Sequence, residues 1–201
     1  MKTSEDADTP DVQFHFAPSY FVEHGLENPE DGHGFSVGAL RLRPESRGEI
    51  TLNSADPFEA PAIDPQYLTG DGDLETIREG LKIAREITRT EPLASYHDGE
   101  MYPGEDVQTD EELEQYIRET AETLYHPVGT CRMGDNEAVV DDSLSVHGVE
   151  DLRVVDASVM PTITSGNTNA PTIAIAEKAA DVLIDSYRKE TATTVVWSTD
   201  D

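Results

Sequence analysis

The strongest constraint on the fold is a change of hydrophobic period near Asp73. Upstream, Val12-Gln13-Phe14-His15-Phe16 alternates apolar and polar as a half-buried strand does, and the stretches 35–43 and 48–52 flank Pro44-Glu45-Ser46-Arg47 like the arms of a hairpin. Residues 18–34, rich in Gly, Pro, Asn and Asp, read as loop. Downstream the period becomes helical. Leu74, Ile77, Leu81, Ala84 and Ile87 share one face behind Asp73 as N-cap. Thr109-Asp110-Glu111-Glu112 has the form of a capping box and leads into Leu113, Tyr116, Ile117, Thr120 and Leu124 on one side. A strand-like stretch at 152–155 precedes a third helix expected over 171–188, along Ile173, Ala176, Ala180, Leu183 and Tyr187. The fold class this implies is α+β: an antiparallel sheet with flanking helices, between frayed acidic tails at 1–10 and 189–201.

Charge narrows the partners. Fourteen Lys and Arg against 42 Asp and Glu leave a formal charge of −28, which argues against phosphate-backbone binding, so no nucleic-acid partner is expected. The cations are mostly Arg, the lysines being only Lys2, Lys82, Lys178 and Lys189. Self-repulsion at this charge opposes compaction, and concentrated salt relieves it as the Debye length falls from ~10 Å at 0.1 M to ~3 Å at 1 M. We therefore expect adaptation to a high-salt cytoplasm. The melting temperature should rise between dilute buffer and molar KCl; a flat or falling value contradicts this. No window holds the ~20 apolar residues of a membrane span, and MKTSEDADTPD lacks the apolar segment of a secretory signal, so a cytoplasmic location is expected. Cys131 is alone, which rules out an internal disulfide and a Cys-x-x-Cys metal pair. His15, His24, His33, His97 and His147 show no metal-ligand spacing, so no metal is expected.

Two turn-rich junctions carry the candidate chemistry: Tyr125-His126-Pro127-Val128-Gly129-Thr130-Cys131-Arg132-Met133-Gly134, and Asp156-Ala157-Ser158 running on to Thr164-Ser165-Gly166-Asn167-Thr168-Asn169-Ala170-Pro171-Thr172. Loops held by rigid elements leave polar atoms free for binding, although spacing alone is equally met by tight turns. A helix opening near Pro171 presents unsatisfied N–H groups and about +0.5 charge, which favours an electron-rich or anionic ligand. Pro171 suits that first turn, and Asn169 or Thr168 serves equally as a simple cap. Cys131, with no orienting residue or oxyanion motif beside it, reads as a packing thiol rather than a nucleophile. No P-loop, HExxH, GxSxG or EF-hand loop occurs, and Gly32-His33-Gly34 lacks the third glycine and preceding strand of a dinucleotide fingerprint.

HPVGTCRMG, followed by VVDDSLSVHGVEDLRVVDASVMPTITSGNTNAPTIAIAEKAAD, resembles the C-terminal part of the glucose-methanol-choline oxidoreductases, and GHGFSVGALRLRPESRGEITLNSADPFEAPAIDPQYL resembles their substrate-domain segment. SGNTNAPTIAIAEKAAD is most similar to the choline dehydrogenase-like branch. The resemblance implies a partial substrate domain over 11–124, then a catalytic loop and flavin-site segment over 125–188. The latter would return to a Rossmann-like FAD domain whose N-terminal, GxGxxG-bearing half is missing from the sequence. It implies FAD as cofactor and a small-molecule alcohol as substrate, with either a separate N-terminal FAD-binding chain as partner or a noncatalytic truncated remnant as the alternative. His126 matches the family's active-site histidine and Asn167 its second polar residue. Asn169, Pro171 and Thr172 would face the flavin pyrimidine edge, and Asp156-Ala157 its ribityl-diphosphate region. Alcohol oxidation removes a hydroxyl proton and transfers a hydride to flavin N5. An imidazole, ordinarily titrating near pH ~6.5, suits the first task, and an amide can hold the substrate oxygen.

Overall fold

The computed structural model describes residues 1–21, 26 and 32–194, the side chains of 189–194 excepted. His24 and the tail residues Val195, Val196 and Trp197 lie outside the described residues. The chain divides into two compact units, Met1–Leu124 and Tyr125–Asp201.

In the first unit, β1 (Val12–Ala17) pairs antiparallel with β2 (Ser36–Arg41), Val12 opposite Arg41 and Ala17 opposite Ser36. A second small antiparallel pair joins β3 (Glu49–Thr51) to β4 (Ala62–Asp64). The hairpin expected across Pro44–Arg47 is therefore absent: the arm at 35–43 pairs backward with β1, and the arm at 48–52 pairs forward with β4. The cause is Asp73. Its carboxylate accepts the Glu45 N–H (3.0 Å), the Ser46 N–H (2.9 Å) and the Ser46 hydroxyl (2.6 Å), and it pairs with Arg41 Nε (3.2 Å). These bonds hold 44–46 as a corner, so its N–H groups cannot close a hairpin ladder. The Ser46 hydroxyl oxygen also accepts from the Thr69 and Gly70 N–H groups at 3.1 and 2.9 Å. Asp73 is thus not the N-cap of α1 (Asp73–Thr88). Gly72, with φ 75°, holds that position, and Asp73 is the first helical residue, 2 % exposed.

α1 lies over β1 and β2. Its buried stripe is Asp73, Thr76, Gly80 and Ala84, rotated from the expected one, since Leu74, Ile77, Leu81 and Ile87 are only half-buried. Small residues let the helix approach the sheet closely. A Cβ on Gly80 would stand 2.9 Å from Val12 Cγ2 and 3.1 Å from Ala39 Cβ. α2 (Asp110–Thr120) opens with the expected capping box: the Glu112 N–H donates to Thr109 Oγ1 and the Thr109 N–H to Glu112 Oε2. The helix stops at Thr120, short of Leu124. Arg78 on α1 reaches Glu114 and Asp110 on α2, and Lys82 reaches Asp110 at 2.6 Å. Thr3 donates through its N–H and hydroxyl to Asp11, and the Met1 carbonyl accepts from the Asp11 and Val12 N–H groups.

In the second unit, α3 (Asn169–Thr194) begins two residues before the expected start and continues past Arg188. The stretch 152–155 forms no strand; Arg153 makes one isolated antiparallel bridge with Ser145. Val140, Leu144, Val159 and Ala179 make a small core, with Met133, Val146, Val154 and Ile175 packed against it. Among the described residues, small antiparallel sheets and three α-helices give an α+β chain. Among the described residues no helix is long and apolar enough to cross a membrane.

Candidate functional site

Both junctions lie in the second unit, and the core stitches them together. The Cys131 N–H donates to the Ser158 carbonyl (3.1 Å) and the Met133 N–H to the Val159 carbonyl (2.9 Å). Val159 is fully buried beside Ala179 of α3, so the first loop, the 3₁₀ turn Ala157–Val159 and the long helix share one packing centre. Asp156 caps that turn, accepting the Ser158 N–H (2.8 Å) and the Ser158 hydroxyl. Gly129 turns the first loop with φ 90°, a conformation that favours glycine, and its carbonyl accepts the Arg132 N–H. Tyr125, immediately before the histidine, is itself left-handed at φ 61°, uncommon for an aromatic residue. Pro127 then disfavours helix at His126.

The result is a contact across 41 residues. Asn167 Nδ2 stands 3.1 Å from His126 Nε2, and Thr168 Oγ1 stands 3.1 Å from His126 Nδ1. His126 is half-buried, Asn167 exposed and Thr168 7 % exposed. With the Asn167 amide as donor Nε2 is the acceptor, and a neutral ring then carries its proton on Nδ1, facing Thr168 Oγ1. The imidazole lone pair thus points to the exposed side, beside an amide donor. A hydroxyl entering between Nε2 and the Asn167 amide would meet a proton acceptor and an oxygen-binding donor together.

Asn169 opens α3 and is exposed; Pro171 and Thr172 are half-buried. The Thr172 N–H and hydroxyl both donate to the Thr168 carbonyl, at 3.0 and 2.7 Å, and Pro171 has no N–H. First-turn donors for an outside acceptor therefore come from Asn169 and Ala170. Thr164 Oγ1, in the loop that leads to Asn167, is buried with no hydrogen-bond partner. Sequence reasoning gave Thr168 only as a helix cap and missed its bond to the histidine, for which its position next to Asn167 was the sole signal. Elsewhere, the His147 ring bonds the Gly134 carbonyl and the His15 ring Gln13; among the described residues no three His, Cys, Asp or Glu gather as a metal site.

Known proteins share this arrangement of chain. The family model described as GMC oxidoreductase matches residues 44–176. An alcohol dehydrogenase [acceptor] of Pseudomonas putida is 47% identical over 185 residues, 92% of this chain and 33% of its own. The mitochondrial choline dehydrogenase of Mus musculus is 46% identical over 177 residues, 87% of this chain and 30% of its own. Among solved structures, pyridoxine 4-oxidase from Mesorbium loti superposes with a TM-score of 0.82 at 33% identity, covering 90% of this chain and 36% of that one. A formate oxidase of Aspergillus oryzae, studied for its FAD modification, also gives 0.82 at 32% identity, covering 90% of this chain and 33% of that one. The chain spans about a third of the length of the curated relatives it matches. With a family model over residues 44–176 and relatives near half-identical along most of its length, the chain belongs to the GMC oxidoreductase family.

Proposed function

We propose that this chain is the C-terminal catalytic portion of an FAD-dependent oxidoreductase acting on CH–OH donors, with His126 as the base and Asn167 as the oxygen-binding group. The observation that carries this reading is the 3.1 Å contact between Asn167 Nδ2 and His126 Nε2. His126 Nε2 takes the hydroxyl proton, and the Asn167 amide donates to the substrate oxygen and keeps it oriented through the reaction.

The residues present fit the redox-ring end of FAD. Donors at the start of α3 and the unpartnered Thr164 hydroxyl lie in the same segment as Asn167, and a helix N-terminus favours an electron-rich ring edge. The Asn169 side chain and the backbone N–H groups of Asn169 and Ala170 would hold that edge, with Pro171 and Thr172 beside it, and the backbone at Asp156-Ala157 the ribityl side. The chemistry FAD supplies when bound is acceptance of a hydride from the carbinol carbon. The ADP end is assigned to a separate GxGxxG-bearing segment, as the family resemblance implies. Ile173, Leu183, Ile184 and Tyr187 of α3 are exposed, which agrees with a helix that packs against such a segment.

Co-expression with that segment tests the reading. A yellow complex is expected, with flavin absorbance that bleaches anaerobically when a short alcohol or choline is added, whereas the 201-residue chain alone should bind FAD weakly. A complex that binds FAD and stays oxidised with every alcohol tried contradicts the assignment.

A further inference from the structure

The β3–β4 pair has two unlike sides, and its apolar side is uncovered. Successive side chains of a strand alternate between faces. Ile50 stands opposite Ile63, so these two and Leu52, two residues on, share one side, while Glu49, Thr51 and Asp64 lie on the other. That alternation belongs to a sheet packed on one face and wet on the other. Yet Ile50 is 52 % exposed, Ile63 68 % and Leu52 83 %. A lone two-stranded hairpin is marginal in water, and the like charges of Glu49 and Asp64, directly opposite one another, weaken this one further. Among the described residues it makes no extensive packing against another helix or strand. The connecting turn is ordered around a bare ring. Asn53 Nδ2 donates to the Ala60 carbonyl (3.0 Å), the Glu59 N–H to the Asp56 carbonyl (3.1 Å) and the Phe58 N–H to the Asp56 carboxylate (3.0 Å), and Phe58 stands outside at 95 % exposure.

We infer that the apolar side of β3–β4, with Phe58 as its anchor, is a docking surface for the separate segment to which the ADP end of FAD is assigned above, an occupant that rests on that reading. About two-thirds of each curated relative lies outside the stretch this chain matches, so in those proteins a body of chain larger than this one is available to cover the hairpin. Area selects the same occupant. A freestanding protein–protein interface takes about 20–30 residues a side. Ile50, Leu52, Phe58 and Ile63 supply a small fraction of that, so the patch holds a partner only as one part of a larger contact, to which the bare residues of α3 add another. A second copy is disfavoured by charge: it would bring a further −28 to the contact, with the same Asp56 and Glu59 beside Phe58.

The test is the dissociation constant of the co-expressed complex in molar KCl, read by dilution in analytical ultracentrifugation. Phe58→Ser and Leu52→Ser should each weaken it about tenfold, the usual effect of truncating an interface anchor, and both free variants should melt with the parent because these side chains stand in solvent. Tyr96→Ser, which removes an exposed aromatic outside the hairpin, should leave it unchanged. Parent affinity in both hairpin variants, or an equal loss in Tyr96→Ser, overturns the proposal. So does a free chain that dimerises through Leu52, which gives the face to a second copy. If a hairpin variant does not fold, hydrogen exchange of the parent decides: amides at 49–52 and 62–64 should slow on complex formation, and unchanged exchange overturns the proposal. A complex that depends on Phe58 yet stays oxidised with every alcohol removes the His126 assignment and keeps the docking surface. Alcohol bleaching in a complex indifferent to both substitutions does the reverse. A segment that never associates with the parent chain removes the docking surface and the two-part reading together.

Discussion

Replacing His126 with Ala in the FAD-loaded complex is expected to slow alcohol-dependent flavin reduction by about 10²–10⁴-fold, the usual contribution of a positioned general base. On the proposed mechanism the loss should fall on kcat, because a base that accepts the substrate proton in the transition state adds little to ground-state binding. Folding should survive. The ring is half-buried and lies outside the Val140, Leu144, Val159 and Ala179 core, so its removal costs one exposed hydrogen bond to Asn167 and one part-buried hydrogen bond to Thr168. Rapid-mixing absorbance of the variant beside the parent measures this. A variant that reduces flavin at the parent rate places the base elsewhere.

Asp73→Ala should be the most destabilising single change in the first unit, at about 3 kcal/mol, or on the order of 10 °C in Tm. It removes the acceptor of two backbone N–H groups and one hydroxyl and leaves Arg41 without its buried partner. Burial pushes the Asp73 carboxyl up. The Ser46 hydroxyl, the Glu45 and Ser46 N–H groups and Arg41 outweigh that effect and hold it below the usual carboxylate range. A depressed folded pKa stabilises the protein above the unfolded value of about 3.9, and this contribution is lost as pH falls through the folded value. The stability gap between parent and Asp73→Ala should therefore be full at neutral pH and narrow only below about pH 4. Thermal melts of both chains at several pH values check this, and a gap that widens on acidification contradicts it.

Local signals were the legible ones. The Thr109–Glu112 capping box reads directly because both partners sit within one helical turn, and the period change near Asp73 correctly separates strands from α1. Long-range capture was not legible. Pro44–Arg47 has the composition of a hairpin turn, and only the folded chain shows a carboxylate 27 residues beyond Ser46 taking its N–H. The α1 stripe was misplaced for a related reason: close approach to β1 and β2 selects Gly80 and Ala84 over the larger Leu and Ile on which periodicity relies. At the site, spacing never joined residue 126 to residue 167; the resemblance did, and the coordinates then put the two side chains within hydrogen-bond reach. Thr168 escaped notice because a threonine before a helix already has a sufficient local explanation as a cap.

The most direct measurement is a double-mutant cycle on His126→Ala and Asn167→Ala, read as kcat/KM for alcohol-dependent flavin reduction. If the imidazole and the amide hold one substrate oxygen between them, the second substitution should cost much less once the first is made, leaving a coupling of about 1–3 kcal/mol. Fully additive losses would mean that the two side chains act at separate places, which contradicts a shared site.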